Sequence, residues 1–164
     1  MEAGIIGLGN LGMAIAKRLI SEGIALMVWN RTRGKAIALG AETADSPADL
    51  ISGSSVLFMN LFDSAAVEEV ITGDSGLLKG ECRGKIIIDT TTNHFRHVSR
   101  FHEILRANGT SYLESPVLGS VVPASHGALT VLVSGERDAF DLALPYLRKA
   151  ATFSFLENRQ TLRK

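Results

Sequence analysis

A chain that passes from a short apolar run through Gly7-x-Gly9-x-x-Gly12 into a helical stretch has few folds open to it. Ala3–Ile6 is apolar throughout and reads as a buried strand, while Leu11, Ile15 and Leu19 recur every four residues, the spacing of one helix face. In such a turn Gly7 permits the sharp reversal, Gly9 lets backbone approach a pyrophosphate, and Gly12 lets the helix pack close to the strand. The helix N-terminus then faces the phosphates with unpaired N–H groups. Strand, glycine turn and helix together are the context that a dinucleotide fingerprint requires. The expected cofactor contacts are therefore Gly7, Leu8, Gly9, Asn10, Leu11 and Gly12.

The same alternation continues along the chain. Ala25–Trp29, Val56–Met59, Lys85–Asp89, Tyr112–Glu114, Ala128–Ser134 and Thr152–Leu156 read as further strands. Helices are expected over Thr32–Leu39, Pro47–Ile51, Ser64–Ile71, His94–Asn108 and Arg137–Leu147. Ser46 and Pro47 supply a cap and a first helical position, and Gly73 and Gly109 supply stops. Strands alternating with helices predict an α/β fold with a doubly wound, mostly parallel sheet. No repeat, linker or low-complexity tract divides residues 1–164, so one domain is expected, with about the last ten residues as a frayed tail.

Composition narrows the partners. Seventeen basic and seventeen acidic residues balance, so no charge excess points to nucleic acid or an anionic membrane. The single cysteine, Cys82, permits no internal disulfide, suits a reducing compartment, and is expected as a bland thiol in a loop. No apolar run approaches the roughly 18 residues of a membrane span, and the start lacks a basic-then-apolar signal layout. A cytoplasmic location is the expectation.

The end of the second strand indicates which dinucleotide. An NAD site places Asp or Glu about 20 residues past the turn, on the ribose hydroxyl. Here the segment is Val28-Trp29-Asn30-Arg31-Thr32-Arg33, with no carboxylate to repel a 2′-phosphate. Arg31 offers a planar fork of donors and Thr32 a hydroxyl. NADP is therefore the expected cofactor, with Asn30, Arg31 and Thr32 at its adenosine end. The missing acid also weakens a methyltransferase reading, because a donor with free ribose hydroxyls would want one there.

Four ordered stretches give the chain a resemblance to the β-hydroxyacid dehydrogenase family, nearest to its glyoxylate/succinic semialdehyde reductase branch. They are the glycine turn, Val28–Thr32, Ile88-Asp89-Thr90-Thr91-Thr92, and Glu114-Ser115-Pro116-Val117-Leu118-Gly119-Ser120 with Pro123, Ala124, Gly127 and Leu129 following. Together they span Met1 to about Leu147. The third stretch is similar to the family's Asp-x-Ser-Thr element, and the fourth resembles its substrate-binding Pro-Val-Ser-Gly loop. The resemblance implies a Rossmann-like fold and hydride transfer between NADPH and a small carbonyl or hydroxy acid bearing a carboxylate. It assigns substrate contacts to Thr91, Thr92, Gly119 and Ser120, and places Leu61, Asp63 and Thr91 along the cofactor. Leu118 stands where the family has serine, which makes that edge more apolar, and Phe62 stands where the family often has proline.

The resemblance weakens at the end of the chain. The family's catalytic lysine lies on the first long helix of an all-helical second domain, after a glycine-rich segment. This sequence reads Phe155-Leu156-Glu157-Asn158-Arg159-Gln160-Thr161-Leu162-Arg163-Lys164, without those glycines. Lys164 falls near the expected position, but a terminal residue without packing does not hold a donor to catalytic geometry. The expectation is a cofactor-binding half that is inactive, or nearly so, by itself, with a non-catalytic NADP-binding module or truncated partner protein as the alternative. An uncovered apolar patch, and with it a homodimer, is also expected.

Other polar groups read as structural. His94 and His97 have helical spacing, but no Asp, Glu or Cys cluster completes a metal set, so no metal is expected. They and His102 fit an exposed helix face, Glu68-Glu69 a solvated one, and His126 lacks a partner to orient it as an acid. No Gly-x-Ser-x-Gly elbow supports serine chemistry. Asp89, at a strand end, is expected to make structural hydrogen bonds.

Overall fold

A computed structural model describes residues 1–157. Lys164 and most of the expected tail lie outside the described residues. The strands are β1 (Ala3–Ile6), β2 (Leu26–Trp29), β3 (Glu42–Thr43), β4 (Val56–Met59), β5 (Ile86–Asp89), β6 (Ser111–Glu114), β7 (Val117–Leu118), β8 (Leu129–Gly135) and β9 (Ala151–Glu157). The α-helices are α1 (Asn10–Ser21), α2 (Arg33–Leu39), α3 (Pro47–Gly53), α4 (Ser64–Thr72), α5 (Phe95–Ala107), α6 (Val121–Ser125) and α7 (Arg137–Ala150), with one 3₁₀ turn at Leu77–Lys79.

The sheet order is β3-β2-β1-β4-β5-β6-β8-β7, with β9 also paired to β8. Pairing is parallel from β3 to β6, and again between β8 and β9. This is the doubly wound, mostly parallel Rossmann-like sheet that the sequence predicts. Its antiparallel part is local. Glu114↔Ser134, Val117↔Val131 and Leu118↔Thr130 keep one register, so β7 prolongs β6 along the same edge of β8 across Ser115 and Pro116.

Successive strand residues point to opposite faces, and both faces are covered. Ile5, Phe58, Ile88, Leu113 and Val133 pack with Ile15 and Leu19 of α1 and Leu147 of α7. Ile6, Leu57, Met59, Ile87 and Tyr112 pack with Leu50 of α3, Ile71 of α4 and Phe101 of α5. Continuous apolar runs such as Ile86-Ile87-Ile88 are what a strand buried on both faces needs.

Three short elements, β3, β7 and α6, were not expected from sequence. Two-residue strands carry no periodicity, and α6 holds Pro123 within only five residues. Helix α7 also runs past Pro145 to Ala150, beyond the expected stop at Leu147. Cys82 is in a loop, as expected, but it is buried and its thiol donates to Leu77 O at 2.9 Å. Burial raises the thiol pKa above its usual value. Glu68 is not simply solvated: it is half-buried and pairs with Arg100 at 2.8 Å, with His97 Nδ1 3.8 Å away. His102 is likewise half-buried, its ring edge-on to Tyr112, and burial lowers its pKa. Among the described residues no helix is long and apolar enough to cross a membrane.

Candidate dinucleotide site

Register brings the ligand-facing loops to one line. Ile6 pairs with Trp29 on one side and Met59 on the other; Met59 pairs with Asp89, and Asp89 with Glu114. The residues that follow this row open the loops after β1, β2, β4, β5 and β6. Open α/β sheets bind ligands at such a carboxyl edge, where the winding reverses between β1 and β4.

The glycine turn is built as its spacing requires. Gly7 has φ +92°, and a Cβ there would lie 2.1 Å from Asn60 O. A Cβ on Gly12 would lie 1.9 Å from Gly7 O, so helix and turn meet only because that atom is missing. At Gly9 an added Cβ would meet nothing within 4 Å, which leaves its backbone open to a ligand. Gly9 is also the N-cap of α1 and brings no capping side chain, and the first turn carries no acid. Open N–H groups, the positive end of the helix and space at Gly9 fit a pyrophosphate.

Two donors of the turn are already engaged, the first being the Gly7 N–H, which donates to Trp29 O at 3.2 Å. The Leu8 N–H donates to Asn30 Oδ1 at 2.8 Å, and Asn30 Nδ2 donates to Thr32 O at 2.9 Å. The side chain of Asn30 thus braces the turn against the loop after β2, a role the residue order did not disclose. Arg31 and Thr32 follow it, both exposed. Arg33 is tied to Asp45 at 2.6 Å, whereas Arg31 makes no hydrogen bond or ion pair among the described residues. Lys35, a residue the sequence reading passed over, adds an exposed cation in the first turn of α2.

The loops after β4 and β5 meet side by side. Thr91 is buried, and its Oγ1 accepts the Leu61 N–H at 3.0 Å. Thr90 Oγ1 donates to Met59 O at 2.7 Å and accepts Asn60 Nδ2 at 2.9 Å. Of the three threonines only Thr92 is exposed. Asp63 caps α4, accepting the Ala66 N–H at 2.9 Å, and Phe62 beside it is 95 % exposed.

Asp89 anchors this edge from below. It is fully buried and accepts from Thr91 N at 2.9 Å, Asn93 Nδ2 at 2.8 Å and Tyr112 OH at 2.7 Å. Burial raises its pKa, and those hydrogen bonds partly offset the rise. Burial and the neighbouring Asp89 also raise the pKa of Tyr112 and of half-buried Glu114. The structural role expected of Asp89 matches this geometry.

The last loop carries Gly119, with φ +137°, and Ser120, which caps α6 without a side-chain bond. Leu118, Gly119, Ser120, Val121 and Val122 are all exposed. His126 Nδ1 lies 2.9 Å from Val122 O, a contact that places the proton on Nδ1. A groove of about 410 Å³ runs between α1 and α6, lined by Asn10, Met13, Lys17 and Val121 among others. Among the described residues no group of three or more His, Cys, Asp or Glu is placed to hold a metal.

Comparison with known proteins agrees with this arrangement. Residues 2–158 match the family model for the NAD binding domain of 6-phosphogluconate dehydrogenase. Glyoxylate/succinic semialdehyde reductase 1 of Arabidopsis thaliana is 34% identical over 148 residues, covering 88% of this chain and 51% of that protein. Cytokine-like nuclear factor N-PAC of Homo sapiens is 31% identical over 143 residues, covering 85% of this chain and 26% of the relative. The solved complex of Psf3 with NADP+ and 2-OPP superposes with a TM-score of 0.88 at 33% identity, covering 95% of this chain and 57% of that one. The chain spans about half the length of the reductase it matches, and a quarter of N-PAC.

Proposed function

The chain belongs to the family of 6-phosphogluconate dehydrogenase NAD-binding domains, and from that premise we propose that it binds NADP(H) in preference to NAD(H). The observation that carries the preference is the end of β2. Asn30 is uncharged and turned onto the glycine turn, so the group left for the adenosine ribose is the exposed guanidinium of Arg31, with Thr32 beside it. An arginine fork suits a phosphate, and no carboxylate stands there to repel one. The NADP+ complex of Psf3, at 33% identity, supports the same reading.

In this reading the open N–H groups at Gly9, Asn10, Leu11 and Gly12 hold the pyrophosphate. Leu61, Asp63 and Thr91 line the dinucleotide beyond it. Thr92, Gly119 and Ser120 face a small carbonyl substrate bearing a carboxylate, of the kind named for the Arabidopsis reductases. Bound NADPH supplies the hydride, and the protein supplies binding and orientation.

The described residues offer little for moving a proton at this edge. Asp89 is buried and held by three donors, Asp63 caps α4, and His94 Nδ1 accepts the Arg96 N–H. We therefore propose cofactor binding with slow or absent turnover for these 164 residues by themselves. A second reading is a non-catalytic NADP-binding module, and the match to the cytokine-like nuclear factor N-PAC over this region supports it.

Calorimetric titration with NADPH and NADH in parallel tests the proposal. Tighter binding of NADPH supports it. Equal binding removes the Arg31 assignment, and binding of neither removes the cofactor reading. Turnover of glyoxylate or succinic semialdehyde at roughly 1 s⁻¹ or faster would overturn the proposed inactivity.

A further inference from the structure

The loops after β4 and β5 are joined by two side chains that neither the glycine turn nor the expected substrate set includes. Ser64 Oγ donates to Asn93 Oδ1 at 2.9 Å, and the His94 N–H donates to Ser64 Oγ at 3.1 Å. Asn93 Nδ2 donates to Asp89 Oδ2 at 2.8 Å and reaches Thr91 O at 3.3 Å. Asn93 thus reads three fixed points at once: the start of α4, the buried carboxylate at the end of β5, and the backbone of the threonine that holds Leu61.

We propose that Asn93, acting with Ser64, is a positioning residue for the nicotinamide end of the cofactor. The inference rests on the NADP reading above. In a doubly wound sheet the adenosine ribose lies at the end of β2 and the pyrophosphate at the turn after β1, which leaves the nicotinamide half toward β4 and β5. The Asn60 Nδ2 to Thr90 Oγ1 and Leu61 N–H to Thr91 Oγ1 bonds join those two loops close to the strand ends. The Ser64–Asn93 bond joins them again farther out, where they enter α4 and α5, and together these bonds set the angle at which Leu61, Thr91 and exposed Thr92 face the ligand. Asn93 and Ser64 are half-buried and act through these neighbours. The adenosine end is held by Arg31 and the Leu8–Asn30 brace, on other strands, so loss of the latch separates the two halves of the ligand.

The test uses the full chain with Asn93→Ala, Ser64→Ala and Ser64→Thr, titrated with NADPH and with adenosine 2′,5′-bisphosphate, which lacks the nicotinamide. Both alanine variants are expected to weaken NADPH roughly three- to tenfold, the effect of one or two hydrogen bonds, while leaving the bisphosphate within about twofold. Ser64→Thr keeps the hydroxyl and is expected to keep the native ratio of the two affinities. Without ligand, amide exchange at Leu61 and His94 should quicken in the alanine variants while Leu8 stays as in the native chain, a pattern that general destabilisation does not give. An unchanged NADPH-to-bisphosphate ratio in both alanine variants overturns the proposal. If the native chain binds the bisphosphate but NADPH no better, the positioning role falls and the NADP reading stands; if it binds neither, both fall.

Discussion

Asn30 Oδ1 accepts the backbone N–H of Leu8 at 2.8 Å, tying the end of β2 to the glycine turn after β1. The same amide donates to Thr32 O, so one side chain holds the pyrophosphate turn and the Arg31–Thr32 loop in a fixed relation. Asn30→Ala removes both bonds. It should cost about 1–2 kcal/mol of stability, as read from a urea transition, and weaken NADPH and adenosine 2′,5′-bisphosphate alike. Full retention of bisphosphate binding would show that the loop keeps its place without the brace.

Gly9 and Gly12 separate the stability of the turn from its function. A Cβ at Gly12 meets Gly7 O at 1.9 Å, backbone against backbone, whereas a Cβ at Gly9 meets nothing within 4 Å. Gly12→Ala must push α1 away from the turn and should cost about 2–3 kcal/mol or more, within the range of overpacking. Gly9→Ala should fold with a stability within about 0.5 kcal/mol of the native chain. Its methyl would occupy the space left for the pyrophosphate, so dinucleotide affinity is expected to fall at least about tenfold. Native affinity in Gly9→Ala would mean that the ligand does not approach that backbone.

The glycine turn reads directly because each glycine answers a local steric demand, and runs such as Ile86-Ile87-Ile88 read as strands because burial on both faces leaves no polar position. The braces were hidden. Asn30 was expected to face the cofactor, yet its side chain is spent on Leu8 and Thr32, twenty-two and two residues away. Asn93 and Ser64, twenty-nine residues apart, carry no motif, and only the parallel register of β4 and β5 brings them together. Thr91 and Thr92 read as ligand hydroxyls, but Thr91 is buried with its Oγ1 accepting the Leu61 N–H of the neighbouring loop, while Thr92 is exposed. Side-chain contacts across strands follow from the fold, and local sequence pattern does not encode them.

Arg31 and Arg33 carry the same charge two residues apart and should behave differently. Arg33 is spent on an exposed pair with Asp45, which is worth at most about 1 kcal/mol. Arg31 is exposed and makes no such pair among the described residues. Arg31→Ala should reduce the preference for NADPH over NADH by roughly tenfold or more, with NADH affinity nearly unchanged. Arg33→Ala should leave that preference within about twofold, and calorimetry on the two variants decides between them. An equal effect of both substitutions would assign the selectivity to general positive charge at this end.

Glu114 and Asp89 pair side by side across β5 and β6, and burial holds both carboxyls to higher pH than usual before they ionise, with the Asp89 charge adding to the effect on Glu114. In the unfolded chain both ionise near the ordinary carboxylate values. Between those values and the raised ones, the unfolded chain sheds protons that the folded chain keeps, so these groups favour folding most in acid and lose that contribution as pH rises. Glu114→Gln removes one titration and the like charge beside Asp89. The variant should therefore lose less stability than the native chain between about pH 4 and about pH 7, with urea midpoints compared at both. Equal losses in the two proteins would mean that Glu114 ionises in the folded chain as freely as in water, and that Asp89 bears the cost of its burial alone.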